Sequence, residues 1–220
     1  MQFDPPTVEE QEVMVEEAEK GLREVVNEFF SKDEDQHKPF RRMVKVLLPV
    51  LQSTPASGST KYHGAWPGGL LAHTWAVIEG GLAIEQTLRS FRPGVDPNNT
   101  LALTRSIIKA GFLHDLGKIG DGRNPYYIDQ DNEWRRDKLG EVYTIERDLN
   151  VMPYLPVPQR AVWLASQHGV NLTQEEVQAI IASDGPGTPQ GKQIIMTFLE
   201  TPLTMIIHFA DKWASQARGI

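Results

Sequence analysis

The sequence predicts an all-α bundle. Apolar residues recur at three- and four-residue spacing along most of the 220-residue chain, and capping boxes stand at Thr7-Val-Glu-Glu10 and Thr173-Gln-Glu-Glu176. No stretch shows internal repeats, a heptad array or βαβ alternation. With 40% hydrophobic residues the chain is large enough for one well-buried core and short for two, so residues 1–220 are expected to form a single domain that opens with N-terminal helices over 1–52.

The elements follow in order. Thr7 opens a helix to about Phe30, with Val13, Val15, Leu22, Val25, Val26, Phe29 and Phe30 as its apolar stripe, and a polar break covers 31–38. Phe40, Met43, Val44, Leu47 and Leu48 predict a second outer helix that Pro49 stops. A loop over 59–69, containing His63, leads into a helix in which Leu70, Val77 and Ile78 are buried and His73 falls early. Gly80-Gly81 costs that helix about 1 kcal/mol per glycine relative to alanine, a cost that close helix packing would justify. Asn98, Asn99 or Thr100 caps a central helix with Leu101, Ile107, Ile108, Phe112 and Leu113 buried. From Ile119 to Tyr143 the composition turns to Gly, Asp, Asn, Pro and aromatics, which predicts a long loop with a small hairpin placed as a lid. Pro156 and Pro158 precede a helix with Val162, Trp163 and Leu164 that ends near His168, and the Thr173 box opens a short helix to about Ser183. After a Gly/Pro loop at 184–191, Thr201-Pro202 caps a last helix from Leu203 to about Ala217, carrying His208 and Asp211 on one face.

The net charge of −7 is uneven: residues 1–36 hold 12 of the 29 acidic and 3 of the 22 basic residues, leaving the remainder near neutral. That acidic leader opposes a nucleic-acid role for the N-terminus but excludes nothing about a site elsewhere. The absence of cysteine excludes disulfides and thiolate zinc sites. No basic-then-apolar leader and no apolar run of roughly 20 residues is present, so a cytoplasmic protein without membrane partners is expected.

The chemistry concentrates in Gly111-Phe-Leu-His114-Asp115-Leu-Gly-Lys118, where an imidazole and a carboxylate stand side by side at the end of an apolar run. Such a pair can address one cation, and on a helix His114 and Lys118, four apart, share a face, so a phosphate on that cation would meet the lysine. His73 and Asp211 also sit on apolar helices. Burying so many polar groups without partners would cost several kcal/mol, whereas one divalent cation would satisfy them all.

The order His73, His114-Asp115, Asp211 resembles the HD-domain metal-dependent phosphohydrolases. His63-x4-Gly68-Gly69-Leu-Leu-Ala-His73-Thr is similar to the segment that brings the first ligand in bacterial HD-type exoribonucleases. Asn132-Glu-Trp-Arg through Lys138-Leu-Gly-Glu-Val-Tyr143 resembles small HD proteins of bacteriophages, which adds a phage-infected host to the expected cytoplasmic settings. The resemblance spans about residues 54–217 and implies a compact HD bundle. It implies a cation held by His73, His114, Asp115 and Asp211, with Asp115 and Lys118 as the catalytic pair. Two imidazoles and two carboxylates suit Mn²⁺, Fe²⁺, Co²⁺, Ni²⁺ or Zn²⁺ better than Mg²⁺. One cation is expected, because the additional histidines of two-metal relatives are replaced here by Pro153-Tyr-Leu-Pro156 and Ile181-Ala-Ser-Asp184-Gly185.

Further candidates for substrate contact are His63, Arg123, Tyr126, Tyr127, Lys138 and His168, with Arg135 and Trp134 in the same lid. His63 could reach substrate or a second metal and has a backbone-anchored loop histidine as its alternative, and His168 has a surface group at a helix end as its alternative. The expected activity is hydrolysis of a nucleotide, either a deoxynucleoside triphosphate or a nucleoside monophosphate. A phosphodiesterase or nuclease is the alternative within enzymes, and a non-catalytic nucleotide-binding or host-interaction module is the alternative outside them. A nucleic-acid partner is the less favoured expectation, and assembly into a homo-oligomer is common among HD proteins.

Overall fold

The computed structural model describes residues 6–31, 33–91 and 97–218, and what it describes is a helical bundle with one small hairpin. Helix α1 (Val8–Phe29) starts at the expected capping box: Thr7 N–H donates to Glu10 Oε2 (2.7 Å) and Glu10 N–H to Thr7 Oγ1 (3.2 Å). It buries Ala18, Gly21, Leu22 and Val26 and leaves Val13 exposed, so the stripe is narrower than its apolar letters. Helix α2 (Lys38–Leu51) runs two residues past Pro49. The proline leaves the carbonyl of Lys45 without its helical donor, and because Lys45 is exposed, water can take that acceptor. These two helices are not an outer layer. Phe30, Phe40, Met43, Leu47 and Leu51 belong to the main core, where Phe40 stacks on Phe30 (4.7 Å between centroids) and meets Phe112 edge-on (5.7 Å).

The central element is α3 (Gly69–Ser90), which packs against α1, α2, α4 (Pro97–Leu113) and α8 (Pro202–Trp213). Its residues 69–74 and 76–78 are all buried, as suits a helix surrounded by helices rather than lying on one. The glycine pair works as its cost suggested. A Cβ on Gly81 would stand 2.8 Å from Ile107 of α4, and one on Gly80 would already touch Ala210 of α8 at 3.5 Å. Gly111 of α4 does the same against Ile78 (2.8 Å). Leu101, expected inside, is exposed, and the capping asparagines and Thr100 lie within α4, which starts at Pro97.

Between α4 and α5 (Val157–Gln167) the expected lid segment forms an antiparallel pair, β1 (Tyr127–Asp129) with β2 (Tyr143–Ile145), in the register Tyr127↔Ile145 and Asp129↔Tyr143. The hairpin is fastened to the loop ahead of α3: Tyr143 N–H donates to Gly58 O (3.0 Å) and Thr60 N–H to Gly140 O (2.8 Å). Its tip is a wide turn over Arg135–Leu139. Helix α5 leaves Trp163 exposed, and α6 (Gln174–Ile181) starts at the second capping box. The Gly/Pro loop of the sequence contains a helix, α7 (Pro189–Met196), capped by Thr188 and opened by its first-turn proline. Thr201 caps α8, which ends at Trp213 and continues as a wider turn over Ala214–Arg218. Among the described residues no helix is long and apolar enough to cross a membrane.

The entry to α3 is the tightest backbone contact on the route to His73. A Cβ on Gly69 would lie 2.2 Å from the carbonyl oxygen of Gly64, a clash with main chain that no rotamer relieves. Gly69→Ala is therefore expected to lower stability by about 1–3 kcal/mol in urea unfolding, with helical content unchanged at low denaturant. A stability equal to wild type would show that the 64–69 turn yields freely.

Candidate metal centre

Three helices deliver the cluster. His73 lies one turn into α3, His114 directly follows α4, and Asp211 projects from α8 beside Ala210, the residue facing Gly80. The helical hydrogen bonding of α4 ends with His114 N–H donating to Ala110 O (2.8 Å). Asp115 then leaves helical geometry (φ −112°, ψ 4°) and starts a short 3₁₀ turn, Leu116–Ile119. Asp115 thereby turns its carboxylate toward His114 instead of away from it.

His73 Nε2 stands 3.1 Å from His114 Nε2, 3.1 Å from Asp211 Oδ1 and 3.6 Å from Asp115 Oδ2. His114 Nε2 is 3.7 Å from Asp115 Oδ2 and 4.0 Å from Asp211 Oδ1. His73 and His114 are fully buried, and the two carboxylates nearly so. Ligand bonds of about 2.1 Å place neighbouring ligand atoms about 3.0–3.4 Å apart and opposite ones about 4.2 Å apart. The separations among His73, His114 and Asp115 fall close to that range, so these three side chains could hold one cation. Asp211 lies beside this group, against His73. His114 also has its outer nitrogen fixed: Nδ1 meets Gly111 O at 2.7 Å, which places the ring proton there and leaves Nε2 as an electron-pair donor.

Electrostatics hold the carboxylates charged. Burial alone would raise the pKa of Asp115, but Lys118, His114 and His73 outweigh it and keep the carboxyl well below the usual range. Asp211 follows the same pattern, with His73 as its main partner. Burial would lower the pKa of His73, and Asp211 reverses this. Lys118 is also enclosed, yet the Asp115 carboxylate holds its pKa above that of a free lysine. The contact is close: Lys118 Nζ to Asp115 Oδ2 is 2.5 Å. Lys118 thus does not share a helical face with His114, as i, i+4 spacing suggested. The 3₁₀ turn brings it back onto Asp115, whose same oxygen faces the histidines.

Of the remaining candidates, His63 and Tyr127 reach the cluster. The His63 ring lies 4.4 Å from that of His73 and its Nε2 is buried without a hydrogen-bond partner. Burial, reinforced by His73 and Lys118, pushes its pKa down to about 3, so it is a neutral imidazole. Tyr127 feels both Lys118 and Asp115, and burial pushes its pKa up to about 12. Tyr126 packs edge-on to Tyr127 (5.0 Å), and Tyr143 completes the aromatic row at 6.3 Å. Arg123 and Lys138 are exposed, and among the described residues neither side chain bonds to the cluster. Arg135 pairs with Glu141 (2.6 Å), and Trp134 is exposed at the hairpin tip. His168 caps the far end of α5, whose first residue touches Gly117, so an 11-residue helix of about 16 Å separates it from the turn carrying Lys118. Its charged neighbour is Arg42. His208 holds the turn after α6: its Nδ1 meets Ser183 O at 2.8 Å and its ring fills the space beside Gly185. That turn carries Asp184, whose pKa is raised by partial burial and by repulsion from Asp115 and Asp211.

No family model, curated protein or solved structure matches this chain.

The low pKa of His63 has a consequence for stability. A histidine that stays neutral in the fold but has an ordinary pKa near 6.5 when unfolded makes the unfolded chain bind more protons as pH falls, so its stabilising contribution is present above about 6.5 and is lost toward 3. In chelator-treated protein, His63→Gln should lose less stability than wild type between pH 7 and pH 5 in urea titrations. Parallel losses would mean that the imidazole protonates freely in the fold.

Proposed function

We propose that this protein is a phosphohydrolase of the HD type that uses one divalent transition-metal ion to hydrolyse a nucleotide. The observation that carries the reading is the convergence of His73, His114 and Asp115 at ligand spacing, with Asp211 of α8 against His73 and a lysine on the Asp115 carboxylate. A cation held there would supply a Lewis acid for a phosphoryl oxygen and a water acidic enough to react near neutral pH. The chain's own groups supply the rest. Asp115 presents one oxygen toward the histidines and to Lys118, so Lys118 stands where an incoming phosphate would exchange one anionic partner for another. The neutral His63, with its unpartnered Nε2, and the Tyr127 hydroxyl offer hydrogen bonds without adding charge. Tyr126, Tyr127 and Tyr143 give the hairpin aromatic surface against which a base can stack.

A single cation is favoured because, among the described residues, none of His168, Pro153–Pro156 or Ile181–Gly185 adds an imidazole to the cluster, and Asp184 and the neutral His63 are the further groups beside it. One metal assisted by Lys118 suits a small nucleotide, where the protein itself must neutralise the phosphate.

The test is a hydrolysis screen of nucleoside mono- and triphosphates, cyclic nucleotides and single-stranded oligonucleotides with Mn²⁺, Co²⁺ and Mg²⁺, run beside metal analysis. The expected result is one bound transition metal per chain and turnover of a mononucleotide. Turnover of oligonucleotides alone would move the phosphodiesterase reading ahead, and no turnover with metal bound would favour a binding module. His114→Ala, Asp115→Ala and Asp211→Ala should each lose bound metal and activity together. Full turnover by a metal-stripped Asp115→Ala protein would end the proposal. Lys118→Ala should keep the metal and lose about 10²–10³-fold in rate, the cost of deleting one electrostatic stabiliser.

A further inference from the structure

Among the described residues Arg160 is the largest fully buried side chain, at 1% exposure, and it lies on the inner face of α5. Buried arginines normally face a carboxylate, and among the described residues none lies within ion-pairing distance of this one. Instead its guanidinium makes two long hydrogen bonds to main chain, Nη1 to Gly117 O (3.4 Å) and Nη2 to Pro153 O (3.3 Å). Its Cζ stands over the Tyr126 ring, 5.1 Å from the ring centre. Asp121 and Tyr154 are the other polar groups that act on it. For stability alone this is a poor use of a buried cation: the bonds are long, and Gly117 O already accepts from Gly120 N–H (3.2 Å).

What these contacts have in common is their position. Gly117 lies in the 3₁₀ turn between Asp115 and Lys118. Tyr126 directly precedes Tyr127, the first residue of β1. Pro153 belongs to the return from β2 to α5. Gly117 is also wedged against α5, since a Cβ there would come within 2.1 Å of Val157 O. One side chain therefore joins the turn that carries Lys118, the residue before Tyr127, which interacts electrostatically with Lys118, and the far end of the hairpin connection. His73 and Asp211, on α3 and α8, are not among its contacts. We propose that Arg160 is a positioning residue that sets where Lys118 and Tyr127 stand over the metal ligands. The catalytic part of this inference rests on the phosphohydrolase reading.

The test uses the full chain with Arg160→Met, Arg160→Lys and Tyr126→Leu. Hydrogen exchange, Mn²⁺ binding by calorimetry and thermal unfolding are measured beside nucleotide hydrolysis. Arg160→Met should leave Mn²⁺ affinity within about twofold, the tolerance of an uncoupled site, and leave the unfolding temperature close to wild type. It should speed amide exchange over 117–129 and not in α3 or α8. It should also lower kcat/KM by about tenfold to a hundredfold, the scale of a misplaced catalytic group. Arg160→Lys, which keeps the charge and loses the planar fork, should fall short of rescue. Adding Tyr126→Leu to Arg160→Met should cost no more than Arg160→Met alone, because the two act as one unit. Unchanged exchange over 117–129 with unchanged kcat/KM would overturn the proposal. So would global destabilisation with loss of metal, which would make Arg160 an ordinary core residue. If the wild-type protein hydrolysed no nucleotide, the hydrolase reading would fail while the exchange data still decided whether Arg160 holds the turn.

Discussion

The structure depends on keeping a fully enclosed imidazole between charged neighbours. His73 Nε2 lies 3.1 Å from both His114 Nε2 and Asp211 Oδ1. Two ring nitrogens at that separation cannot both present lone pairs to each other, so they must share a proton or a cation. With the proton of His114 placed on Nδ1 by Gly111 O, the demand falls on the space between His73, Asp115 and Asp211. Meeting it requires α4 and α8 to approach α3 closely, and Gly80, Gly81 and Gly111 stand where they do so. The glycines cost helix propensity, and the polar cluster costs desolvation; both go with one arrangement, in which α3, α4 and α8 bring His73, His114 and Asp211 within 3.1–4.0 Å of one another.

Around this centre the chain builds a cover from parts distant in sequence. The loop over 57–63 contributes His63, and the hairpin contributes Tyr127. Backbone hydrogen bonds at Gly58 and Gly140 make the two segments one layer. Loops in isolation carry little conformational constraint, but a loop hydrogen-bonded to a hairpin that is itself fastened to a helix can hold a side chain in place. The aromatic row Tyr126, Tyr127 and Tyr143 lies along this layer, continuous with the buried Arg160 beneath Tyr126.

Much of this was legible in the sequence because it depends on local chemistry. Thr7 and Thr173 announced their helices since a hydroxyl and a glutamate three residues on can satisfy only a helix N-terminus. The cluster His73, His114, Asp115 and Asp211 was readable because polar groups on apolar helices need a shared partner. Less legible was whatever depends on which helix surrounds which. The periodicity of α1 and α2 marks an apolar face without saying how much of the core it builds. Helix α7 was hidden by flanking Gly and Pro, although Thr188-Pro189 repeats the cap-plus-proline signal of Thr201-Pro202. Arg160 gave no signal, since an arginine in an amphipathic helix reads as solvated until the tertiary fold encloses it. Arg123, Lys138 and His168 stand away from the cluster, because closeness in sequence to a loop or a helix end does not imply closeness to it in the fold.

The octet from Gly111 to Lys118 shows most clearly how backbone geometry changes chemistry. Continued as an α-helix, it would set His114 and Lys118 on one face and turn Asp115 about 100° away from His114. Ending α4 at Leu113 and tightening to a 3₁₀ turn instead brings the Asp115 carboxylate round to face both histidines and folds Lys118 onto the same oxygen. One carboxylate then couples the histidine cluster to Lys118, the one ammonium group paired with it among the described residues. Any ligand that draws charge from Asp115 Oδ2 releases part of the hold on Lys118, and any anion that draws Lys118 away strengthens Asp115 as a donor to a cation. A cation at the cluster and an anion at Lys118 would be linked through a single oxygen atom, and the turn that arranges this is the one that Gly117, wedged against Val157 and bonded to Arg160, keeps in place.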